Sequence, residues 1–173
     1  MKAYILNKSG PPEVLRVTVV PDPVPGEGEV LVRNHYIGVN FAEILSRKGL
    51  YGWALKRPYI LGMECSGVIE ETGVGVDSSR IGERVMVGAK SGAYAEKIVV
   101  PSRGAVKIPQ LFTQEEGAAF LVNYMTAWTA LVKMANARPG ENVLVTAAAG
   151  GVGTAAVQIA ARTGCKVAGM AGS

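Results

Sequence analysis

The chain has 173 residues, of which 49% are hydrophobic and 18% are charged, enough for one good core or for one domain and part of another. Its net charge of +4 comes from basic residues scattered along the sequence, so it does not indicate a nucleic-acid-binding face. No apolar run approaches the length of a membrane span, and the N-terminus is too short and polar a stretch for a signal peptide.

The cysteines are typical of a reducing compartment. Cys65 and Cys165 lack the spacing of a metal-binding or redox motif. We interpret both as buried, reduced thiols and expect a cytoplasmic protein.

Residues 1–108 consist of short apolar runs separated by turn residues. Strands are predicted at residues 1–6, 14–20, 30–38, 61–72, 84–88 and 92–100, and a short helix at residues 40–48. In the third strand the alternation places Val30, Val32 and Tyr36 on one face, with Arg33 and His35 on the other. So many short strands indicate a β-rich, barrel-like domain.

The character of the sequence changes near Thr113, where residues 113–116 form a capping box that predicts the start of a helix. Residues 123–126 are predicted to interrupt this helix, and a second helix follows from Ala127 and ends before Pro139. We therefore expect a first domain over residues 1–118, which carries the substrate site, and a second over residues 119–173.

The second domain begins with one βαβ unit. Residues 143–145 form a short apolar run that predicts a strand buried on both faces, and residues 166–171 predict another strand. The helix between them has one apolar face and stops at Gly164. The apolar face consists of Val152, Ala155, Ala156, Ile159 and Ala160. A doubly wound parallel α/β sheet needs about six strands, so this unit is the start of such a sheet.

A glycine-rich turn joins the strand to the helix. Its glycines lack a Cβ, so the backbone can approach a pyrophosphate, which the amides and dipole at the helix start would hold. Against the dinucleotide-binding pattern G-x-G-x-x-G, Ala148 stands at the first glycine, Gly150 at the second and Gly153 at the third. The predicted cofactor-binding residues of this turn are Ala149, Gly150, Gly151, Val152 and Gly153. The alternative is an ordinary packing turn between a strand and a helix.

The end of the chain bears on the choice of cofactor. An NAD site usually has Asp or Glu about 20 residues beyond the glycines, where it binds the ribose hydroxyls. Residues 170–173 contain no acid, and the hydroxyl of Ser173 would donate to a 2′-phosphate. We therefore predict NADPH rather than NADH. The alternative is that the deciding residue lies past Ser173.

The chain also carries a set of short motifs at residues 38–43, 62–67, 82–85, 92–96 and 147–153. Together they resemble the zinc-independent quinone oxidoreductase branch of the medium-chain dehydrogenase/reductase family, which includes zeta-crystallin. Residues 123–127 look closest to the vesicle amine transport protein homologues of that branch. The resemblance covers essentially the whole chain and implies a GroES-like barrel followed by the start of a Rossmann domain. It also implies the N-terminal half of a protein roughly twice as long, commonly a homodimer.

Departures from the family pattern are informative too. Zinc-dependent members carry a Cys where this chain has Asn40 and a His where it has Met63. A catalytic zinc needs about three N, S or O protein ligands, so the comparison implies no metal. Without a Lewis acid an ordinary ketone is not strongly polarised, and we expect an acceptor that is already electrophilic: a quinone or an α,β-unsaturated carbonyl.

The resemblance assigns roles to three residues. It implies that Asn40 lies beside the nicotinamide and the acceptor, where its amide would donate to a developing oxyanion; the alternative is a helix N-cap. Tyr51 resembles the family's pocket tyrosine, which would orient the acceptor or relay a proton; the alternative is an exposed loop aromatic. Thr126 resembles the threonine that faces the nicotinamide; the alternative is an N-cap before Ala127.

Three further residues have structural interpretations. Glu64 is expected to be a buried carboxylate with hydrogen-bond partners rather than an acid–base catalyst. His35 is expected on a sheet face, and Trp53 in a lid or a packing contact.

These predictions converge on an NADPH-dependent, zinc-free reductase of quinones or enones. One alternative is a binding protein that keeps the fold and the NADPH site with little turnover, since a fold does not fix a function. The other is an inactive N-terminal fragment, whose unpaired strand edges would favour association with another chain.

Overall fold

The computed structural model describes residues 1–52 and 55–172, which form two compact units, Met1–Leu121 and Val122–Ser173. The sequence places the boundary after residue 118, just before this division. The predictions for Trp53 and Ser173 lie outside the described residues.

The first unit is built mainly from short strands. Its strands are β1 (Lys2–Leu6), β2 (Arg16–Val19), β3 (Glu29–Ile37), β4 (Tyr59–Ile60), β5 (Glu64–Thr72), β6 (Arg84–Gly88), β7 (Lys97–Pro101) and β8 (Ala105–Lys107). Its helices are α1 (Phe41–Lys48) and α2 (Gln114–Ala118), with short 3₁₀ turns at Pro12–Val14, Ser78–Arg80 and Ser102–Gly104. The predicted strands at residues 61–72 and 92–100 begin later than expected, and the predictions missed β4 and β8.

Among the described residues, these strands form a curled five-stranded antiparallel sheet in the order β7-β3-β5-β6-β8 and a three-stranded sheet in the order β2-β1-β4. The core of the larger sheet includes Val30, Val32, Cys65, Val85 and Val87, which are fully buried. The prediction of a β-rich, barrel-like first domain is confirmed.

The predicted faces of β3 are correct at its start and wrong near its end. Val30 and Val32 are buried, whereas Tyr36 is 43% exposed. The register between β3 and β5 shifts between Asn34 and Tyr36, which inserts a bulge into β3. A bulge adds one residue to the strand and reverses the alternation beyond it, so Tyr36 no longer shares the face of Val30.

Gly67 on β5 allows the backbone of β3 to come close beside this bulge. A Cβ at this position would lie 2.0 Å from the carbonyl oxygen of Arg33. Gly67 pairs with Asn34, immediately before the shift in register. The glycine is therefore required by contact with the neighbouring strand.

The capping box at the start of α2 is confirmed. The hydroxyl of Thr113 accepts a hydrogen bond from the backbone N–H of Glu116, and the carboxylate of Glu116 accepts one from the backbone N–H of Thr113. Each side chain satisfies a backbone donor that the helix itself leaves open.

The predicted interruption at residues 123–126 is wrong. These residues lie inside α3 (Leu121–Trp128), which continues as a π-helical segment, Thr129–Met134. The break in the helix occurs earlier, after α2 ends at Ala118. Tyr124 and Ala127 of α3 pack in an apolar cluster with Val145, and this packing outweighs the weak helix propensity of Asn, Tyr and Thr.

The second unit contains the predicted βαβ arrangement, which is confirmed. Strand β9 (Asn142–Thr146) leads into α4 (Gly151–Arg162), and β10 (Lys166–Met170) returns parallel to β9. Gly164 follows the helix with a φ of 84°, in the left-handed conformation that commonly ends helices.

Strand β9 is not buried on both faces, contrary to the prediction. Val145 is buried against Ala155 and Ala156 of α4, whereas Leu144 is 68% exposed. Since α4 packs on one face of the strand, every second side chain points to the opposite face, which α4 does not cover. Cys165 is likewise half-buried rather than buried. In the described part of the chain, no helix is long and apolar enough to cross a membrane.

We expect Gly67→Ala to lower the free energy of unfolding by about 1–3 kcal/mol, because the new methyl group would overlap the backbone of β3. Urea unfolding followed by circular dichroism measures this change. Gly104→Ala is the matched control, since its Cβ would meet no atom within 4 Å. A Gly67→Ala midpoint equal to that of the control would contradict the close approach.

Candidate functional site

The turn between β9 and α4 presents an open helix start. Gly150 is the N-cap of α4, and among the described residues no side chain caps it and no acidic residue lies in the first turn. Gly151 and Val152 are exposed. The first N–H groups of a helix have no partner within it, and the dipole of this 12-residue helix adds positive potential. These residues fit an anion such as a pyrophosphate.

Gly153 has a packing role in the same turn. A Cβ there would lie 2.2 Å from the carbonyl oxygen of Ala147 and 2.8 Å from Cα of Ala148. The glycine therefore allows the first turn of α4 to rest on the preceding loop. Gly150 is less constrained, since its Cβ would lie 3.3 Å from the same oxygen.

Ala147 carries the backbone strain of this turn. Its φ of 51° lies in the left-handed region, which costs a residue with a Cβ about 1–2 kcal/mol. The sequence pattern instead marked the next residue, Ala148, as the departure from glycine. Ala149 lies in the same turn and is exposed.

The turn is tied to the end of β10. The backbone N–H of Ala148 donates to the carbonyl oxygen of Met170 at 2.9 Å. Ala171 and Gly172, which follow β10, are exposed and carry no charge. The N-terminus of α4 and the end of β10 therefore lie on the same edge of the parallel pair, the edge where ligands bind in open α/β sheets.

In the first unit, Asn40 lies between β3 and α1 and is the N-cap residue of the helix. Its backbone N–H donates to Oε2 of Glu43, and Oε1 of Glu43 accepts the backbone N–H of Met63 at 2.8 Å. Glu43 therefore joins the start of α1 to the loop before β5. Glu43 is not among the predicted site residues, although an N-cap asparagine followed three residues later by glutamate is a helix-start signature.

The carboxamide of Asn40 is held by a second carboxylate. Nδ2 of Asn40 donates to Oε1 of Glu64 at 2.9 Å. Glu64, the first residue of β5, is 1% exposed, which confirms the expected buried carboxylate with a hydrogen-bond partner. Gly38 makes room for this side chain, because a Cβ on Gly38 would lie 2.5 Å from Cγ of Glu64.

Burial raises the pKa values of several acidic groups near Asn40 and Glu64. It raises the pKa of Glu43, against the lowering effect of its hydrogen bonds from Asn40 and Met63. Burial and, secondarily, the charge of Glu64 raise the pKa of Cys65 to about 12, so this thiol stays protonated at neutral pH. Burial, together with Glu43 and Glu64, also raises the pKa of Tyr94.

Tyr51 is half-buried and lines a small cavity with Glu43 and Met63. The cavity has a volume of about 10 Å³, which is at the lower limit for a single water molecule. It is too small for a quinone ring. Tyr51 and Asn40 are nonetheless linked, since Glu43 lines the cavity and bonds the backbone of Asn40.

The structure also gives the positions of two other residues singled out in the sequence, Thr126 and His35. Thr126 is not a helix N-cap: it lies inside α3, where its hydroxyl donates to the carbonyl oxygen of Val122 at 2.6 Å. Its side chain is exposed. His35 lies on β3 and is exposed, and it lines a cavity of about 290 Å³ with Lys2 and Glu96.

Among the residues that the structure describes, no three His, Cys, Asp or Glu side chains form a group that could hold a metal ion. Asn40 and Met63 take part in the carboxylate network through N–H groups. The absence of zinc stays a prediction from the residue types.

The chain matches the alcohol dehydrogenase GroES-like domain over residues 26–110. It is 46% identical over 137 residues to the synaptic vesicle membrane protein VAT-1 homolog of Rattus norvegicus, covering 79% of this chain and 34% of the relative. It is 40% identical over 175 residues to the quinone oxidoreductase of the same organism, covering 100% of this chain and 53% of the relative.

A solved structure shows the same fold at similar identity. The quinone oxidoreductase of Thermus thermophilus, studied alone and in its complex with NADPH, superposes with a TM-score of 0.87 at 41% identity, over 100% of this chain and 54% of that one. The chain thus spans about half the length of the quinone oxidoreductases it matches. It belongs to the medium-chain dehydrogenase/reductase family, in the group that contains the quinone oxidoreductases and the VAT-1 homologues.

Proposed function

We propose that the protein containing this chain is an NADPH-dependent oxidoreductase that reduces a quinone or an α,β-unsaturated carbonyl. The observation that carries the proposal is the N-terminus of α4, with a glycine N-cap, exposed residues at Gly151 and Val152, and no first-turn acid among the described residues. Such an end is suited to the pyrophosphate of a dinucleotide. The Thermus thermophilus quinone oxidoreductase, which has the same fold over this region, binds NADPH.

In this proposal the second unit binds the cofactor. The backbone amides of Gly151, Val152 and Gly153 hold the pyrophosphate, and Ala149 and Gly150 let it approach the turn. Ala171 and Gly172 place no carboxylate beside the ribose, which favours NADPH over NADH, with Ser173 as the proposed donor to the 2′-phosphate. Thr126 is proposed to orient the nicotinamide. Bound NADPH supplies the hydride.

The first unit is proposed to hold the acceptor. Asn40 presents a carboxamide whose second N–H donates to the oxygen that gains negative charge as the acceptor is reduced. Tyr51 orients the acceptor or relays a proton to it. Because the residue types at positions 40 and 63 are not zinc ligands of the family, we propose a zinc-free reaction and an acceptor that is already electrophilic.

A second candidate is a binding protein that holds NADPH with little turnover. The observation that favours it is the 46% identity to the VAT-1 homolog, higher than the 40% identity to the quinone oxidoreductase, although over fewer residues. Both candidates share the cofactor site and differ in whether a quinone is reduced. For either, we propose a cytoplasmic homodimer as the assembled form of the whole protein.

We expect Gly153→Ala to weaken NADPH binding at least about tenfold, because its methyl group would displace the turn that faces the pyrophosphate. Titration of the chain with NADPH, followed by nicotinamide fluorescence, measures the Kd, with NADH run in parallel. Gly104→Ala is the control substitution, because it adds the same methyl group in open space.

A Kd for NADPH in Gly153→Ala equal to that of the wild type would contradict the role of the α4 turn. NADH binding as tightly as NADPH would contradict the cofactor preference and leave the pyrophosphate site in place.

We expect Asn40→Ala to lower kcat for reduction of 1,4-benzoquinone by roughly 100-fold or more, because the donor to the developing oxyanion is lost. Tyr51→Phe should lower kcat by a smaller factor, since water can replace a proton relay. NADPH oxidation measured by its absorbance gives both values. Asn7→Ala and Tyr4→Phe are the controls, as both side chains are exposed.

If NADPH binds to the full-length protein and that protein oxidises none of it in the presence of quinones or enones, the binding-protein candidate replaces the reductase. A loss of activity in the two controls equal to that of Asn40→Ala would mean that the assay reports folding rather than chemistry.

A further inference from the structure

The Asn40 carboxamide has two ends with opposite chemistry, an acceptor oxygen and a donor NH₂ group. Which end faces the acceptor molecule decides whether Asn40 can stabilise a developing negative charge. An asparagine side chain in a loop can turn either end outward, so something in the surroundings has to select one.

Glu64 provides this selection. The NH₂ end of the amide, and not its oxygen, faces Glu64, because Oε1 of Glu64 is an acceptor for Nδ2 of Asn40. The distance of 2.9 Å from Nδ2 of Asn40 to Oε1 of Glu64 is that of a normal hydrogen bond. The Glu64 side chain is 1% exposed, so little water competes for the contact.

The surrounding backbone keeps both partners in place. Gly38 donates its N–H to the carbonyl oxygen of Glu64 at 3.1 Å, and its missing Cβ leaves the space that Cγ of Glu64 occupies. Glu43 independently fixes the backbone N–H of Asn40. The segment from Gly38 to Asn40 is therefore bonded to β5 and to α1, and the Asn40 amide cannot turn without losing its bond to Glu64.

We infer that Glu64 is a positioning residue for the reaction: it fixes the carboxamide of Asn40 so that one N–H is held by Glu64 and the other is directed for donation to the acceptor. The inference rests on the proposed role of Asn40. It assigns no proton transfer and no contact with substrate to Glu64, which acts through Asn40 alone.

Glu64→Gln tests this role with a side chain of the same shape. A glutamine can face Asn40 with either its oxygen or its NH₂, so the selection is lost while the packing is kept. Glu71→Gln is the matched control, because Glu71 lies on the same strand and is exposed. Circular dichroism and thermal unfolding establish that both variants are folded.

The first measurement needs no enzyme activity. In ¹⁵N–¹H spectra of the chain, the side-chain NH₂ signals of Asn40, assigned by their loss in Asn40→Ala, should lie apart from those of exposed asparagines and should exchange slowly. Glu64→Gln should shift or broaden them, and Glu71→Gln should leave them unchanged. Identical Asn40 signals in Glu64→Gln and wild type would overturn the inference.

The second measurement separates positioning from direct catalysis. In the reductase assay Glu64→Gln should lower kcat roughly 10-fold to 100-fold with little change in the KM for NADPH. The double variant Asn40→Ala/Glu64→Gln should be no slower than Asn40→Ala alone, because residues that act as one unit are not additive. A further loss in the double variant equal to that of Glu64→Gln alone would overturn the inference.

The two measurements also distinguish this inference from the proposed function. If the full-length wild-type protein does not reduce quinones, the proposed function fails, and the Asn40 spectra still decide whether Glu64 holds the amide.

Discussion

A helix that begins with glycine leaves its first backbone N–H groups open, and the second unit is organised around this feature. The N-cap of α4 is Gly150, and the first turn is close to the preceding loop because Gly153 has no Cβ. The hydrogen bond from Ala148 to Met170 ties this loop to the neighbouring strand. Positive potential from the helix, exposed residues at its start and a fixed loop together support the proposal that this turn binds a pyrophosphate.

In the first unit the corresponding constraint concerns buried hydrogen-bond acceptors rather than open N–H donors. Two carboxylates, Glu43 and Glu64, are almost completely buried and must be given hydrogen-bond donors. Asn40 supplies one donor to each, through its backbone to Glu43 and through its side chain to Glu64. The residue that the family resemblance assigns to the reaction is therefore also a hydrogen-bond donor to both buried carboxyl groups. This arrangement gives a rigid asparagine from a loop position, where a side chain would otherwise be free to rotate.

Much of the fold was predictable from local patterns. The capping box from Thr113 to Glu116 and the βαβ unit with its glycine turn depend on neighbouring residues, and the structure contains both. Strands β4 and β8 were missed because runs of two or three residues carry no measurable alternation. The reversed face of Tyr36 was missed because a bulge depends on the partner strand and not on the sequence of β3 itself.

The candidate site was predictable in its residues and less so in its contacts. The motif at residues 38–43 named Asn40, but the bond to Glu64 joins positions far apart in the chain, and such a pairing needs the fold. The break predicted at residues 123–126 does not form, because Ala127 and its apolar cluster hold the segment as helix. In both cases the tertiary contact decided the structure that local sequence left open.

The most direct test of the account is a titration of the ¹⁵N-labelled chain with NADPH, observed through its backbone amides. The account predicts that the amides of Gly151, Val152 and Gly153 shift and saturate together, because they hold the pyrophosphate at the start of α4. The amide of Gly104, in the other unit, should stay in place. Saturable binding of NADPH that leaves the three α4 amides unchanged would contradict the assignment of this turn as the cofactor site.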